Sequence, residues 1–146
     1  MVQIEIEYLG NLRTTAAHEP SSSTLLTDAP KDNQGNGEAF SPTDLVATAL
    51  GTCMLTTMGI AARRLNVDLT GATTRVIKEM VATPTRRVGK LSVEIHCPAS
   101  VPAEHRAPLE HAALTCPVAK SLHPDVQMPV QISWDLAGIA SKTAPR

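Results

Sequence analysis

The sequence is poor in aromatic side chains: Tyr8, Phe40 and Trp134 are the only three in 146 residues. That removes the stacking surface on which single-stranded bases are held. Basic clusters are missing too, because 13 Lys and Arg residues are scattered among 14 Asp and Glu residues for a net charge of −1. Nothing in that pattern neutralises a run of phosphates, and no nucleic-acid partner is expected. The three cysteines, Cys53, Cys97 and Cys116, form no even disulfide framework, and in a reducing compartment each is either core filler or a working group. No CxxC, HExxH, GxSxG, GxxxxGKS or GxGxxG pattern occurs. A zinc centre, a nucleophile-elbow hydrolase, a P-loop enzyme and a dinucleotide fold therefore lack their sequence basis. The five histidines do not repair this: His96 and Cys97 point to opposite faces of a strand, and His105 and His111 to opposite sides of a helix. No metal and no cofactor are expected.

What is present suits one core. The length fits a single domain over residues 1–146. MVQIEIEYLG alternates apolar and acidic residues and is neither a secretory signal nor a transit peptide, so a cytoplasmic location is expected. The same alternation predicts a half-buried strand with Val2, Ile4, Ile6 and Tyr8 on one face. Leu12–His18 and Thr24–Thr27 read as two further strands of a meander, and Asp28–Gly37 as an irregular loop. Ser41 as N-cap, Pro42 in the first turn and Asp44 three residues after Ser41 then announce a helix. It runs about six turns to Arg63, Arg64 and Leu65 and stops at Asn66. Leu45–Ala62 is uncharged over a length near the lower limit for a bilayer span. Its four threonines, lack of aromatic anchors and strand-like flanks favour burial in protein, so no membrane is expected and the helix is placed in a core, apolar nearly all the way round.

Thr73–Val81 and Val88–His96 form a second predicted hairpin around TPTRR. An amphipathic helix follows from near Ala103 to near Thr115, then a short helix VAKSL opened by Pro117, then a last strand Val126–Leu136 and a tail over Gly138–Arg146. The order predicts an α+β fold with segregated elements.

On its neighbourhood alone, Cys53 on the long helix reads as a small core hydrophobe. Cys116, just before Pro117 at a helix start, is placed where a thiolate is favoured. Cys97, between His96 and Pro98, reads as structural. Read together, FSPTDLVATALGTCMLTTMGIAARRL and, some sixty residues on, LTCPVAKSLHP resemble the family of osmotically induced protein C and organic hydroperoxide resistance proteins (OsmC/Ohr). The likeness extends from YLGNLR through TDAP and GEAFSP to the last strand. It implies antiparallel sheets wrapped around two long central helices in an intertwined homodimer, and a thiol-dependent peroxidase with its site where the two chains meet.

By that resemblance Cys53 matches the peroxidatic cysteine and Cys116 the resolving one. A thiolate attacks ROOH, an alcohol leaves, and the sulfenic acid condenses with the second thiol to an intramolecular disulfide that an external dithiol reduces. A thiolate on an apolar helix needs a cation nearby. The resemblance assigns this to Arg13, with His18 as the competitor. The Ohr branch holds its arginine with a glutamate after the helix-opening proline. Here Thr43 stands at that position and Asp44 is turned to capping, which leaves Glu38 to hold Arg13. Leu50, Met54 and Met58 are expected to wall a pocket that favours hydroperoxides with an apolar R group over H2O2. A non-enzymatic binder of small apolar or electrophilic molecules is the alternative, and a metal-binding dimer using Cys and His a third.

Overall fold

A computed structural model describes residues 1–136, so the tail expected over Gly138–Arg146 lies outside the described residues. The chain divides into two units, Met1–Val46 and Ala47–Arg146.

The first unit is an antiparallel sheet of β1 (Ile4–Gly10), β2 (Arg13–His18) and β3 (Ser23–Asp28), in that order. Gly10, Asn11 and Leu12 turn β1 into β2 with φ of 84°, 49° and 62°. The left-handed region suits Gly and Asn, and Leu12 is carried through by its neighbours. In the register between β2 and β3, Arg13 lies directly opposite Asp28. The half-buried strand expected over Val2–Tyr8 differs in one respect, since Ile4, Ile6 and Tyr8 are all exposed. Alternation marks an apolar face but not what covers it. The loop after β3 also has more order than expected. It contains one 3-10 turn, Lys31–Asn33, where the Pro30 carbonyl accepts from the N–H groups of Asn33 (2.9 Å) and Gly35 (3.1 Å). A Cβ on Gly35 would collide with the Ala29 carbonyl, so only glycine passes there.

Helix α1 (Pro42–Leu65) opens with reciprocal caps. The Ser41 N–H donates to Asp44 Oδ2 (2.8 Å) and the Asp44 N–H to Ser41 Oγ (3.2 Å). It closes at Asn66, whose φ of 54° lets its N–H reach the Arg63 carbonyl (3.3 Å) while the Val67 N–H reaches that of Ala62 (3.0 Å). That is the paired closure of a left-handed helix stop. The core placement expected for this helix needs correcting. Its most apolar stretch has a mean hydropathy of 1.7, enough in length and composition to cross a membrane, yet only 33% of it is buried. Ala47, Leu50, Gly51, Met54, Met58 and Ala62 face inward, while Ile60 is exposed. Composition does not separate an apolar face covered by its own chain from one left open.

In the second unit, β4 (Thr73–Val81), β5 (Arg87–Pro98) and β6 (Val130–Leu136) form a sheet in that order. Its inner face carries Leu91, Val93 and Ile95 into the core with Leu50, Met54 and Met58. Gly51 lets α1 approach β4 closely, for a Cβ there would stand 2.9 Å from Val76 Cγ2 and 3.2 Å from Thr74 Cγ2. Helices α2 (Ala103–Leu114) and α3 (Pro117–Ser121) connect β5 to β6. Both sheets were expected to be antiparallel with segregated elements, but β5 and β6 pair in parallel. The two intervening helices return the chain to the starting end of β5, which is the crossover that parallel neighbours require. The fold is α+β with two sheets, the second of them mixed.

Candidate thiol site

Cys53 sits on α1, half-buried, beside the inward-facing Met54. One turn on, the Thr57 hydroxyl lies 3.0 Å from the Cys53 carbonyl, 2.9 Å from that of Met54 and 3.0 Å from that of Ala112 on α2. The last contact matters for α2. Its chain turns away before the helix can satisfy its final carbonyls, since the Cys116 N–H goes to Ala113 (3.2 Å) and the Thr115 N–H to His111 (3.1 Å). A hydroxyl from α1 thus partners a terminal carbonyl of α2.

Pro117 forces the break that follows. The residue before a proline is driven out of helical geometry, and Cys116 is extended, at φ −63° and ψ 149°, as the N-cap of α3. Its buried Sγ accepts from the Ala119 N–H at 3.4 Å. Cys53 and Cys116 are close enough for their thiols to interact, and neither is in a disulfide. The Cys116 thiol is raised above its ordinary value, first by burial; the Ala119 N–H opposes this, and the Cys53 sulfur adds to it.

Cys97 belongs elsewhere. It is fully buried at the end of β5, and burial, then the charges of Glu110 and Asp135, push its thiol up to about 11. Nearby, Trp134 Nε1 donates to Glu110 (2.8 Å) and the Arg106 guanidinium lies 5.4 Å from the Trp134 ring centre. A thiol so far from ionising is inert as a nucleophile.

In the first unit, Arg13 and Glu38 form a hydrogen-bonded ion pair. Asp28 joins them: its Oδ2 lies 3.7 Å from Arg13 Nη2 and accepts the Glu38 N–H at 2.9 Å. His18, at the far end of β2, bonds the Ser21 hydroxyl (2.7 Å) instead. Thr43 Oγ1 lies 3.2 Å from Ser41 Oγ, inside the helix cap.

The structure thus brings Cys53 to Cys116 and Arg13 to Glu38. Leu50, Met54 and Met58, expected to wall a substrate pocket, are instead packed into the core with at most 1% of their surface exposed. Continuous burial on one helix face serves the sheet beneath it, which the sequence pattern alone does not distinguish from a ligand wall. Sequence reasoning passed over Asp28, which reads as the first loop residue, and Thr57, which reads as helix filler. A strand register placing Arg13 opposite Asp28 was the signal for the first. Among the described residues, no three His, Cys, Asp or Glu side chains converge to hold a metal ion.

Comparisons with known proteins agree with this architecture. No curated protein matches the chain. A solved structure from Psychrobacter arcticus, provisionally named an osmotic stress induced and detoxification response protein, shares 48% identity, covers 90% of this chain and 96% of its own, and superposes with a TM-score of 0.84. An organic hydroperoxide resistance protein OsmC from Legionella pneumophila has the same fold at 16% identity, covering 91% of this chain and 96% of its own with a TM-score of 0.73. So does an OsmC-like protein from Mycoplasma pneumoniae, at 14% identity, 92% and 98% coverage and a TM-score of 0.77. The family model of OsmC-like proteins matches residues 35–131, which include both sulfurs of the pair. With fold, thiol pair and family match in agreement, the chain belongs to the OsmC-like protein family.

Proposed function

We propose that this chain is a thiol peroxidase that reduces organic hydroperoxides to alcohols. The observation that carries the reading is the apposition of Cys53 and Cys116. The Cys53 thiolate attacks the distal oxygen of ROOH, the O–O bond breaks, and the alkoxide leaves as ROH after taking a proton, giving a sulfenic acid on Cys53. The Cys116 sulfur then displaces hydroxide from that sulfenic acid. Water carries away the Cys116 proton, and a disulfide closes. An external dithiol restores both thiols by exchange, its own two thiols becoming a disulfide. Arg13, paired with Glu38, is the cation that the family resemblance assigns to the thiolate.

Two further features support the reading. Relatives named for organic hydroperoxide resistance share the fold. Ile4, Ile6, Tyr8 and the outer face of α1 leave apolar surface of the kind a second copy of the chain would cover, consistent with a homodimer in which two long helices become central.

Stopped-flow reduction of cumene hydroperoxide tests the proposal. Wild type is expected to turn over with a dithiol, Cys53→Ser to be inactive, and Cys116→Ser to stall as a sulfenic acid that dimedone traps. Consumption of peroxide that is unchanged in Cys53→Ser would sink it. Saturable binding of hydroperoxide without consumption would point to the non-enzymatic binder.

A further inference from the structure

We propose that the external dithiol attacks the oxidised site at Cys53, with Cys116 as the leaving sulfur. The inference rests on the peroxidase reading above and gives the two ends of its disulfide unequal roles. Every residue it uses lies in the second unit. Thiol–disulfide exchange is an in-line displacement, so the attacking sulfur needs a clear approach to one sulfur while the other departs with the electron pair. The two cysteines differ in the approach they offer. Cys53 is half-buried at the border of the inward face of α1, between exposed Thr52 and buried Met54. A hydroperoxide must already reach that sulfur in the oxidising half of the cycle. Cys116 is fully buried.

Cys116 is also pinned under its cover. Its N–H donates to the Ala113 carbonyl at 3.2 Å, its carbonyl accepts from the Lys120 N–H at 3.2 Å, and its Sγ accepts from the Ala119 N–H at 3.4 Å. Exposing the sulfur means a local opening that disturbs these bonds together. Burial raises the Cys116 thiol, which slows its departure. Access overrides that handicap, because a covered sulfur is attacked only in the fraction of molecules that have opened. The Ala119 N–H works in the same direction, since a hydrogen bond to Sγ strengthens as the sulfur gains charge.

The steps balance. One thiolate of the dithiol bonds to Cys53 Sγ, the Cys53–Cys116 bond breaks, and the electron pair goes to Cys116 Sγ, which takes a proton from water. The second thiol of the reductant, having lost its proton to water, displaces the Cys53 thiolate and closes the reductant's own disulfide. The protein gains the two electrons that the dithiol loses. A monothiol stops at the mixed disulfide, which makes the point of attack readable. Full-length wild type is oxidised with one equivalent of cumene hydroperoxide, exposed briefly to β-mercaptoethanol, quenched with acid and N-ethylmaleimide, and mapped by peptide mass. The mercaptoethanol adduct is expected on Cys53 and the maleimide on Cys116, in about tenfold or greater excess over the reverse pattern. Equal amounts or the reverse pattern overturn the inference and leave the peroxidase reading standing. A protein that closes no disulfide with hydroperoxide overturns both. As a second measure, Cys116 in Cys53→Ser is expected to react with 5,5′-dithiobis(2-nitrobenzoate) about tenfold or more slowly than Cys53 in Cys116→Ser, with the gap lost in guanidinium chloride. A native Cys116 that reacts as fast as Cys53 overturns the inference.

Discussion

Replacing Thr57 with valine keeps the shape of the side chain and deletes one hydroxyl. In the native structure that hydroxyl lies 3.0 Å from the Ala112 carbonyl and within 3.0 Å of two carbonyls of its own helix. The carbonyls of Cys53 and Met54 lie in the interior of α1, where the backbone can satisfy them. Ala112 stands at the frayed end of α2 and loses the partner that α1 supplied. An acceptor stranded away from water costs about 1–3 kcal/mol, and the partial exposure of Ala112 places the expected loss at about 1–2 kcal/mol. For a chain of this length that lowers the melting temperature by about 3–8 °C. The same contact joins the helix of Cys53 to the helix that delivers Cys116, so closure of the disulfide after one equivalent of hydroperoxide should slow as well. Thermal melting of the reduced protein and rapid-quench mass analysis of the oxidised one measure the two effects. Thr57→Ser, which retains the hydroxyl, should recover more than half of the closure rate. If Thr57→Val melts with wild type and closes its disulfide at the same rate, the tie between α1 and α2 has been misjudged.

Cys97 gives a pH signature of its own. Its folded value is raised from 9.0 to about 11, so the fold holds that proton more tightly than the unfolded chain does. The resulting stability is fully present below pH 9 and is lost as the pH rises toward 11, by about 2–3 kcal/mol. Urea melts across that window should show this decline in wild type and not in Cys97→Ala, and parallel declines would refute it. Two glycines of α1 should respond oppositely to alanine. At Gly51 the new Cβ stands 2.9 Å from Val76 Cγ2, so crowding of about 1–3 kcal/mol meets or exceeds the helix-propensity gain of about 1 kcal/mol. At Gly59 nothing lies within 4 Å and the gain should stand alone. Chemical denaturation that ranks Gly51→Ala as the more stable variant would contradict the packing of α1 on β4.

The elements legible from sequence were those whose signals are local. Ser41, Pro42 and Asp44 mark where α1 starts, Asn66 marks where it stops, and Pro117 dictates the extended backbone of Cys116. Each works through atoms within one helical turn. The parallel pairing of β6 with β5 was not legible, because alternation tells a strand which way its side chains point and not which neighbour it will take. The openness of β1 and of the outer face of α1 escaped for a related reason: apolar residues declare that they want cover without saying whether their own chain provides it. At the site, spacing said nothing about Cys53 and Cys116, and only the joint resemblance of two motifs suggested the pair. Asp28 stayed hidden since its importance depends on a register that joins it to Arg13 across an intervening turn.

The apposition of Cys53 and Cys116 bears on how long the molecule survives as well as on what it does. The two sulfurs are 63 positions apart in the chain, and a covalent link between them would close a loop that the unfolded polymer could no longer explore. The chain-entropy account puts that restriction at about 4 kcal/mol in favour of the native state, minus any strain the link introduces. Oxidised molecules waiting for a reductant would therefore resist proteases and heat better than freshly reduced ones.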